Sequence, residues 1–379
     1  MHILLVPSEY PTKDHRLGGI FIEEQKNYLK KYNKIGVLYI YLFSIKKLFT
    51  ELIFKIGTIK KKKSFLIFYF PRVPYFRYIN YLIHYYLFLK IFKIYIKNNG
   101  KPDLLHVHFS EFSIYTAYKI KKKYKIPYIL TEHSTDFLDG RYEKRYKRKT
   151  ELYKKIRLCF AETKKIICVS SVLKKKLTKY YNLNKNKLVV IPNLSKTVNF
   201  KKNPKKNTDI IFVGTFDNRK NPFLLLKAFK KIYKNKLKLI FIGDGFLKNK
   251  MINFIKKSNL KNYVKIYSSL RRESVLKLIS KSKILASTSF YETFGIVIIE
   301  AYSMGMPVVM TDSLGNRDLY NKYCSIKVKN FDVDSFANSI EKMLNNYKEY
   351  KKNRIINFYK KNFSPNQVIK KINLLYRIK

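Results

Sequence analysis

Short apolar runs recur along the chain, separated by longer stretches in which apolar residues return every three or four positions. The first pattern suits buried strands and the second amphipathic helices. The runs predict strands at His2–Val6, Ile35–Tyr41, Leu104–His108, Tyr128–Thr131, Lys165–Ser170 and Leu188–Ile191. A polar Lys/Asn/Pro stretch follows at Lys201–Asn207, and strands resume at Ile210–Val213, Leu237–Ile242, Val264–Tyr267, Ile284–Ser287 and Pro307–Thr311. Strands alternating with helices argue for parallel sheets covered by helices. The simplest account is an α/β chain of two doubly wound halves joined near residues 200–208, with one more helix from Pro365 onward.

The length of 379 residues agrees with two domains at roughly 150 residues each. With 46% hydrophobic and 16% aromatic residues, a core forms without disulfides or a structural metal, and disorder is excluded. Cys159, Cys168 and Cys324 form no C-x-x-C, which suits a reducing compartment and rules out a cysteine-built zinc site. The opening Met1–Pro7 has no basic n-region and reads as a first buried strand rather than a signal peptide. The longest apolar-rich stretches free of Lys, Arg, Asp and Glu, Ile35–Ile45 and Tyr78–Leu89, are 11 and 12 residues, short of the about 20 that span a bilayer. A soluble or peripheral protein of the cytoplasm is expected.

Charge changes the picture more than length does. Eighty Lys+Arg against 25 Asp+Glu give a net charge of +55, divided as 42 basic and 13 acidic residues in 1–200 and 38 and 12 in 201–379. No basic tail carries the excess. Three explanations stand side by side: a composition favouring Lys, Asn, Ile, Tyr and Phe; attraction to an anionic membrane face or phosphate-bearing substrates; or nucleic-acid binding. The last requires a recognisable reading element, and no helix-turn-helix, zinc-finger or RNP-type pattern is present, so no nucleic-acid partner is expected. The zone Ile45–Lys97 holds Lys60–Lys63 and an aromatic stretch, Tyr75–Lys97, with Lys90, Lys93 and Lys97 on one helix face. That stretch reads either as a helix lying in a membrane interface or as a covering helix with a solvated lysine edge.

The most informative segment is Ser289–Val309, which turns through Glu292-Thr-Phe-Gly295 into a helix ending at Gly305. Gly295 lets a ligand approach the backbone, and the amides of Gly295–Val297 make a helix start suited to a diphosphate. Glu292 and Glu300 can face different parts of one ligand and accept hydroxyls from a ribose and a hexose; taken alone, the two glutamates would read as solvated. Upstream, Ile211–Pro222 is a strand ending at Gly214 and a loop with Arg219 and Lys220, which points into the crevice where such folds bind ligands. Phe241-Ile-Gly-Asp-Gly245 reads mostly as a turn, and Asp332-Val-Asp334 as a helix cap rather than a metal motif. His106, His108 and His133 lack the carboxylate or cysteine spacing of a metal site.

Together with Pro7–Pro11, Gly18–Gln25, Pro102–His108, Tyr128–His133, Cys168–Ser171 and Val190–Asn193, the V-G-x5-K loop, G-D-G turn and E-x7-E segment form an ordered set. It resembles the family 4 retaining glycosyltransferases that build bacterial surface polysaccharides, over roughly residues 1–310. The resemblance implies a GT-B fold, two Rossmann-like domains facing across a cleft. Residues 1–203 would be the acceptor side and 204–379 the nucleotide-sugar-binding side, with the last helix, about 364–379, packing back on the first.

By the same resemblance, Lys220 and Arg219 neutralise the departing nucleotide diphosphate, and Glu292 with the amides of Phe294, Gly295 and Ile296 holds the donor sugar and phosphates. Glu300 binds the ribose hydroxyls, Gly19 allows close approach to the diphosphate, and His133 faces the transferred sugar unless it is a satisfied structural histidine. Thr215 stands where many members carry a diphosphate-binding Arg, so Arg219 is expected to compensate; Leu194 replaces a usual Gly. No cofactor or divalent metal is expected. The expected partners are a UDP- or GDP-linked sugar, a glycan or polyprenyl-linked acceptor and an anionic surface on the inner membrane face; a soluble acceptor is the alternative.

Overall fold

A computed structural model describes residues 1–12, 18–44, 59–62, 65–145, 147, 150–195, 204–233, 237–268 and 270–378. They form two compact units, Met1–Pro192 with Val368–Lys379, and Asn193–Gln367. The first stretch ends ahead of the expected boundary at 203 because the chain past Pro192 packs with later residues: the Tyr359 hydroxyl donates to the Ser195 carbonyl at 3.2 Å. Residues 200–203 of the expected joint lie outside the described residues.

The first unit holds β1 His2–Pro7, β2 Lys34–Phe43, β3 Ile59–Lys62, β4 Phe65–Pro71, β5 Leu104–His108, β6 Tyr128–Glu132, β7 Ile166–Cys168 and β8 Leu188–Val190. Their order is β3-β4-β2-β1-β5-β6-β7-β8, parallel except for the antiparallel β3–β4 pair. The second unit holds β9 Thr208–Val213, β10 Leu239–Ile242, β11 Val264–Tyr267, β12 Ser282–Ser287, β13 Val308–Thr311 and β14 Ser325–Val328. Its order is β11-β10-β9-β12-β13-β14, parallel throughout. Each sheet starts at its centre, winds out on one side and then crosses to the other. The order therefore reverses between β1 and β5 and between β9 and β12, and loops leaving the carboxyl ends of those strands diverge to leave a crevice.

Three strands were not expected from the apolar pattern: β3, β4 and β14. β4 lies inside the aromatic zone, where a continuous apolar run cannot be told from buried helix by periodicity. β3 carries Lys60–Lys62 along the edge of the sheet, a placement that discourages a further strand from pairing there; Lys63 and residues 45–58 lie outside the described residues. β14 is short, with Ser325 and Val328 buried and the two residues between them half-buried.

The aromatic stretch forms the helix Arg77–Asn99, which buries Tyr81, Phe88, Phe92 and Tyr95 against β2, β4 and the helix Glu111–Tyr124. Each such side chain contributes about 1.5–3 kcal/mol of burial. Lys90, Lys93 and Lys97 are exposed, so this is the covering helix with a solvated lysine edge. Most of its aromatics fill the core, while Tyr86 stays exposed on the lysine face. Further exposed apolar side chains lie around its start, at Tyr75, Phe76 and Ile79. Among the described residues no helix is long and apolar enough to cross a membrane.

Asp332 accepts from the Ser335 amide at 2.7 Å and so caps the helix Val333–Asn345. In the first unit, the His106 ring nitrogens meet the hydroxyls of Thr131 and Tyr376, each at 2.7 Å. His106 stacks on His108 with ring centroids 4.2 Å apart, and His84 meets the Thr116 hydroxyl at 2.7 Å.

Burial lowers the pKa of His84 and of His108 to about 3 and pushes that of His106 well below its ordinary value. These rings stay neutral in the fold, whereas the unfolded chain protonates them below about pH 6.5. Their contribution to stability is thus complete above pH 6.5 and is lost progressively as the pH falls below it. Urea unfolding should show a midpoint that drops between pH 7.5 and 5; a flat midpoint would contradict the assignment. Gly36 on β2 offers a second test, because a Cβ there would run into the buried Tyr95 ring and hydroxyl. Gly36→Ala should lose about 1–3 kcal/mol in thermal unfolding, and adding Tyr95→Phe should recover part of it.

Candidate active site

In the second unit the crevice opens where β9 and β12 lie side by side. After β9 the chain makes a tight loop, Gly214–Asn221, before the helix Pro222–Ile232, which starts with Pro in its first turn. Asp217 organises this loop: its carboxylate accepts from the Thr215 hydroxyl at 2.7 Å and from the Lys220 amide at 2.8 Å. Arg219 lies 3.7 Å from the same carboxylate and 3.5 Å from the Thr215 hydroxyl. The G-D-G turn braces the loop from behind. The Phe216 amide donates to the Asp244 carbonyl at 2.8 Å, and a Cβ on Gly243 or Gly245 would strike the backbone of Gly214 or Phe216.

The segment after β12 is fastened to that loop. The Thr288 hydroxyl lies 2.9 Å from the carbonyls of both Lys220 and Asn221, and the Phe290 amide donates to the Arg219 carbonyl at 2.8 Å. Glu292 forms an ion pair with Lys220 and lies 3.4 Å from the Ser289 hydroxyl. The helix Ile296–Ser303 then begins from Gly295, which supplies no side-chain cap. A Cβ on Gly295 would crowd the Asn316 and Ile298 side chains. Of the amides expected at this helix start, that of Ile296 donates to the Phe294 carbonyl at 3.0 Å, so it is turned inward here. Phe294 itself is buried and packs edge-on to Phe363. Glu300 is fully buried, ion-paired with Arg272 and 3.4 Å from the Ser195 hydroxyl.

Gly19 and His133 belong to the first unit. Gly19 takes a left-handed φ of 62° at the start of the helix Ile20–Leu29, and a Cβ there would meet the Glu9 carbonyl and the Tyr10 backbone. Phe21, two residues on, packs on the His133 ring at 4.7 Å between centroids. His133 lies 3.2 Å from His108 through their ring nitrogens. Its position follows from Glu132, whose buried carboxylate accepts from the amides of Ser110, His133 and Ser134 at 3.0, 2.8 and 2.8 Å. Burial raises the Glu132 pKa in spite of those donors.

The structure thus brings Thr215, Arg219, Lys220, Glu292, Gly295 and Ile296 to one crevice, with Phe294 and Glu300 packed behind it. Sequence reasoning missed the residues that hold them: Asp217, Arg272, Ser195 and Glu132. Asp217 had a signal, an Asp within a turn ahead of a helix. Arg272 had none, being one of eighty basic residues and 28 positions from its partner.

Comparison with known proteins bears on family and fold. Residues 195–361 match the family model for glycosyl transferases group 1, and residues 57–194 match that for glycosyltransferase family 4. The chain is 32% identical over 255 residues to an uncharacterized glycosyltransferase of Methanocaldococcus jannaschii, covering 66% of each chain. It is 26% identical over 293 residues to an Escherichia coli UDP-Gal:alpha-D-GlcNAc-diphosphoundecaprenol alpha-1,3-galactosyltransferase, covering 65% of this chain and 74% of that one. The chain thus spans about two thirds to three quarters of the length of these relatives. Anabaena HepE, crystallised with UDP and glucose, superposes with a TM-score of 0.73 at 16% identity over 100% of both chains, a likeness of fold. Two parallel-sheet Rossmann-like units of the GT-B kind and two adjoining family matches agree: this chain belongs to the family 4 glycosyltransferases.

Proposed function

We propose that the chain transfers a sugar, with retained anomeric configuration, from a UDP- or GDP-linked donor to a lipid-linked glycan in surface polysaccharide synthesis. The observation that carries this reading is the pairing of Lys220 with Glu292 beside a helix start without a side-chain cap, where the loops leaving β9 and β12 part. The Glu292 carboxylate holds the Lys220 ammonium in place. As the bond to the sugar breaks, negative charge grows on the diphosphate, and Lys220, Arg219 and the helix start meet it with little reorganisation. These groups supply the counter-charge, so the reading assigns no divalent cation and no cofactor. Glu292 then accepts hydroxyls of the donor sugar, and Glu300, held by Arg272, is assigned to the ribose. In the first unit the reading gives His133 to the transferred sugar and Gly19 to the diphosphate.

The acceptor class is supported by the Escherichia coli relative, whose name specifies a diphosphoundecaprenol-linked sugar. Such an acceptor lies at a membrane. The net charge of +55 and the exposed Tyr75, Phe76 and Ile79 favour peripheral attachment to the inner face of the plasma membrane.

Calorimetric titration with UDP and with GDP tests the donor site. One nucleotide should bind the wild type, and Lys220→Ala should weaken it about 10- to 100-fold, the value of one charge-assisted hydrogen bond. Glu300→Gln should weaken it as well; the isostere is preferable to alanine, which would leave Arg272 facing a gap. A well-folded protein that binds neither nucleotide would overturn the donor assignment.

A further inference from the structure

Behind the helix start at Gly295, the chain leaving β13 forms a short 3-10 helical segment, Leu314–Leu319, pressed onto the turn Glu292–Gly295. A Cβ on Gly315 would strike the Glu292 and Thr293 carbonyls, and one on Gly295 would come within 2.7 Å of the Asn316 Oδ1. Asn316 is 1% exposed. Neither its Oδ1 nor its Nδ2 has a hydrogen-bond partner among the described residues, and both atoms are sealed from solvent. Buried amides are nearly always satisfied, and an exception calls for a reason. A side-chain amide offers two donors and an accepting oxygen, and here all of that capacity faces one backbone turn.

The same turn has an amide on the wrong side for holding an anion. Gly295 has φ −78° and ψ 81°, and the Ile296 amide donates to the Phe294 carbonyl at 3.0 Å. This is an inverse γ-turn, and it commits the first amide of the helix to the chain's own carbonyl. A phosphate at a helix start requires that amide to face outward. In a residue as buried as Phe294, the carbonyl released by that movement needs a new donor. A ligand in the crevice cannot touch the sealed Asn316 amide, so the turn is the partner within its reach.

Resting on the glycosyltransferase reading above, we infer that Asn316 is a positioning residue for the donor diphosphate: its Nδ2 takes over the Phe294 carbonyl as the Ile296 amide turns to the phosphate. Gly295 permits the change in ψ that this requires. One hydrogen bond is thereby exchanged for two, and the Asn316 bond exists only in the turned arrangement. A contact made in one of two arrangements is what lets a ligand shift the balance between them.

Calorimetric titration and urea unfolding of Asn316→Leu test this, because leucine keeps the branched shape and removes the polar atoms. Loss of an idle buried amide should leave the unfolding midpoint unchanged or higher. The nucleotide that binds the wild type, UDP or GDP, should bind about tenfold more weakly. In protein labelled with 15N-isoleucine, the Ile296 amide peak, assigned through Ile296→Val, should move downfield when that nucleotide is added to the wild type and move less in the variant. If leucine is too bulky for the variant to fold, Asn316→Ala should show the same loss of affinity and the same smaller movement of the peak. Affinity unchanged in a folded variant, a midpoint lowered in Asn316→Leu, or an Ile296 peak that stays in place in the wild type would overturn the inference. Any of these results alongside nucleotide binding by the wild type counts against Asn316 alone. A well-folded wild type that binds neither nucleotide counts against the transferase reading and removes this inference with it.

Discussion

Parallel strands must be joined by crossovers of one hand, and that constraint sets out the whole molecule. A sheet built outward from its centre has to change sides once, and at that place neighbouring loops part. In both units the chemistry-bearing residues stand there. Gly214–Lys220 leaves β9, Thr288–Gly295 leaves β12, and a cavity with Glu9, Arg72, Glu111, Asp136 and Arg145 in its lining opens over β1 and β5. The loops in the second unit remain together because Thr288 and Phe290 bond to the carbonyls of Arg219, Lys220 and Asn221. The strands set where the crevice is, and those few bonds set its shape.

In a chain this basic, the few carboxylates carry most of the local order. Asp217 shapes a loop, Glu132 fixes two turns through three amides, and Asp136 gathers two arginines. Glu292 and Glu300 each hold one cation beside the crevice of the second unit. Buried or half-buried, such pairs matter more for arrangement than for net stability, because desolvation offsets much of their attraction. Exposed lysines, by contrast, lie along helix edges such as that of Lys90, Lys93 and Lys97, where solvent screens them.

The glycine positions and the spacing of Gly214 to Lys220 were legible because each answers a local backbone demand. Gly19 is required by a left-handed turn against the Glu9 carbonyl, and such demands leave a trace within a few residues. The partners were not legible. Lys220 meets Glu292 across 72 positions and Arg272 meets Glu300 across 28, distances over which one sequence carries no register. The aromatic zone was half legible: the helix Arg77–Asn99 shows in its lysine face, whereas Phe65–Pro71 is a continuous apolar run without periodicity. Only packing decides that this run becomes a strand and the helix its cover.

The hydroxyl of Tyr376 reaches His106 across 270 positions, and this ties the core of the first unit to a stretch of chain made long after it. At 5–20 residues per second, a ribosome needs roughly 15 to 50 s to travel that distance. Throughout that interval the His106 imidazole lacks one of its two partners, while the second unit has all of its strands before Val368 appears. Of these two units, the one whose chain emerges first during synthesis is completed after the other.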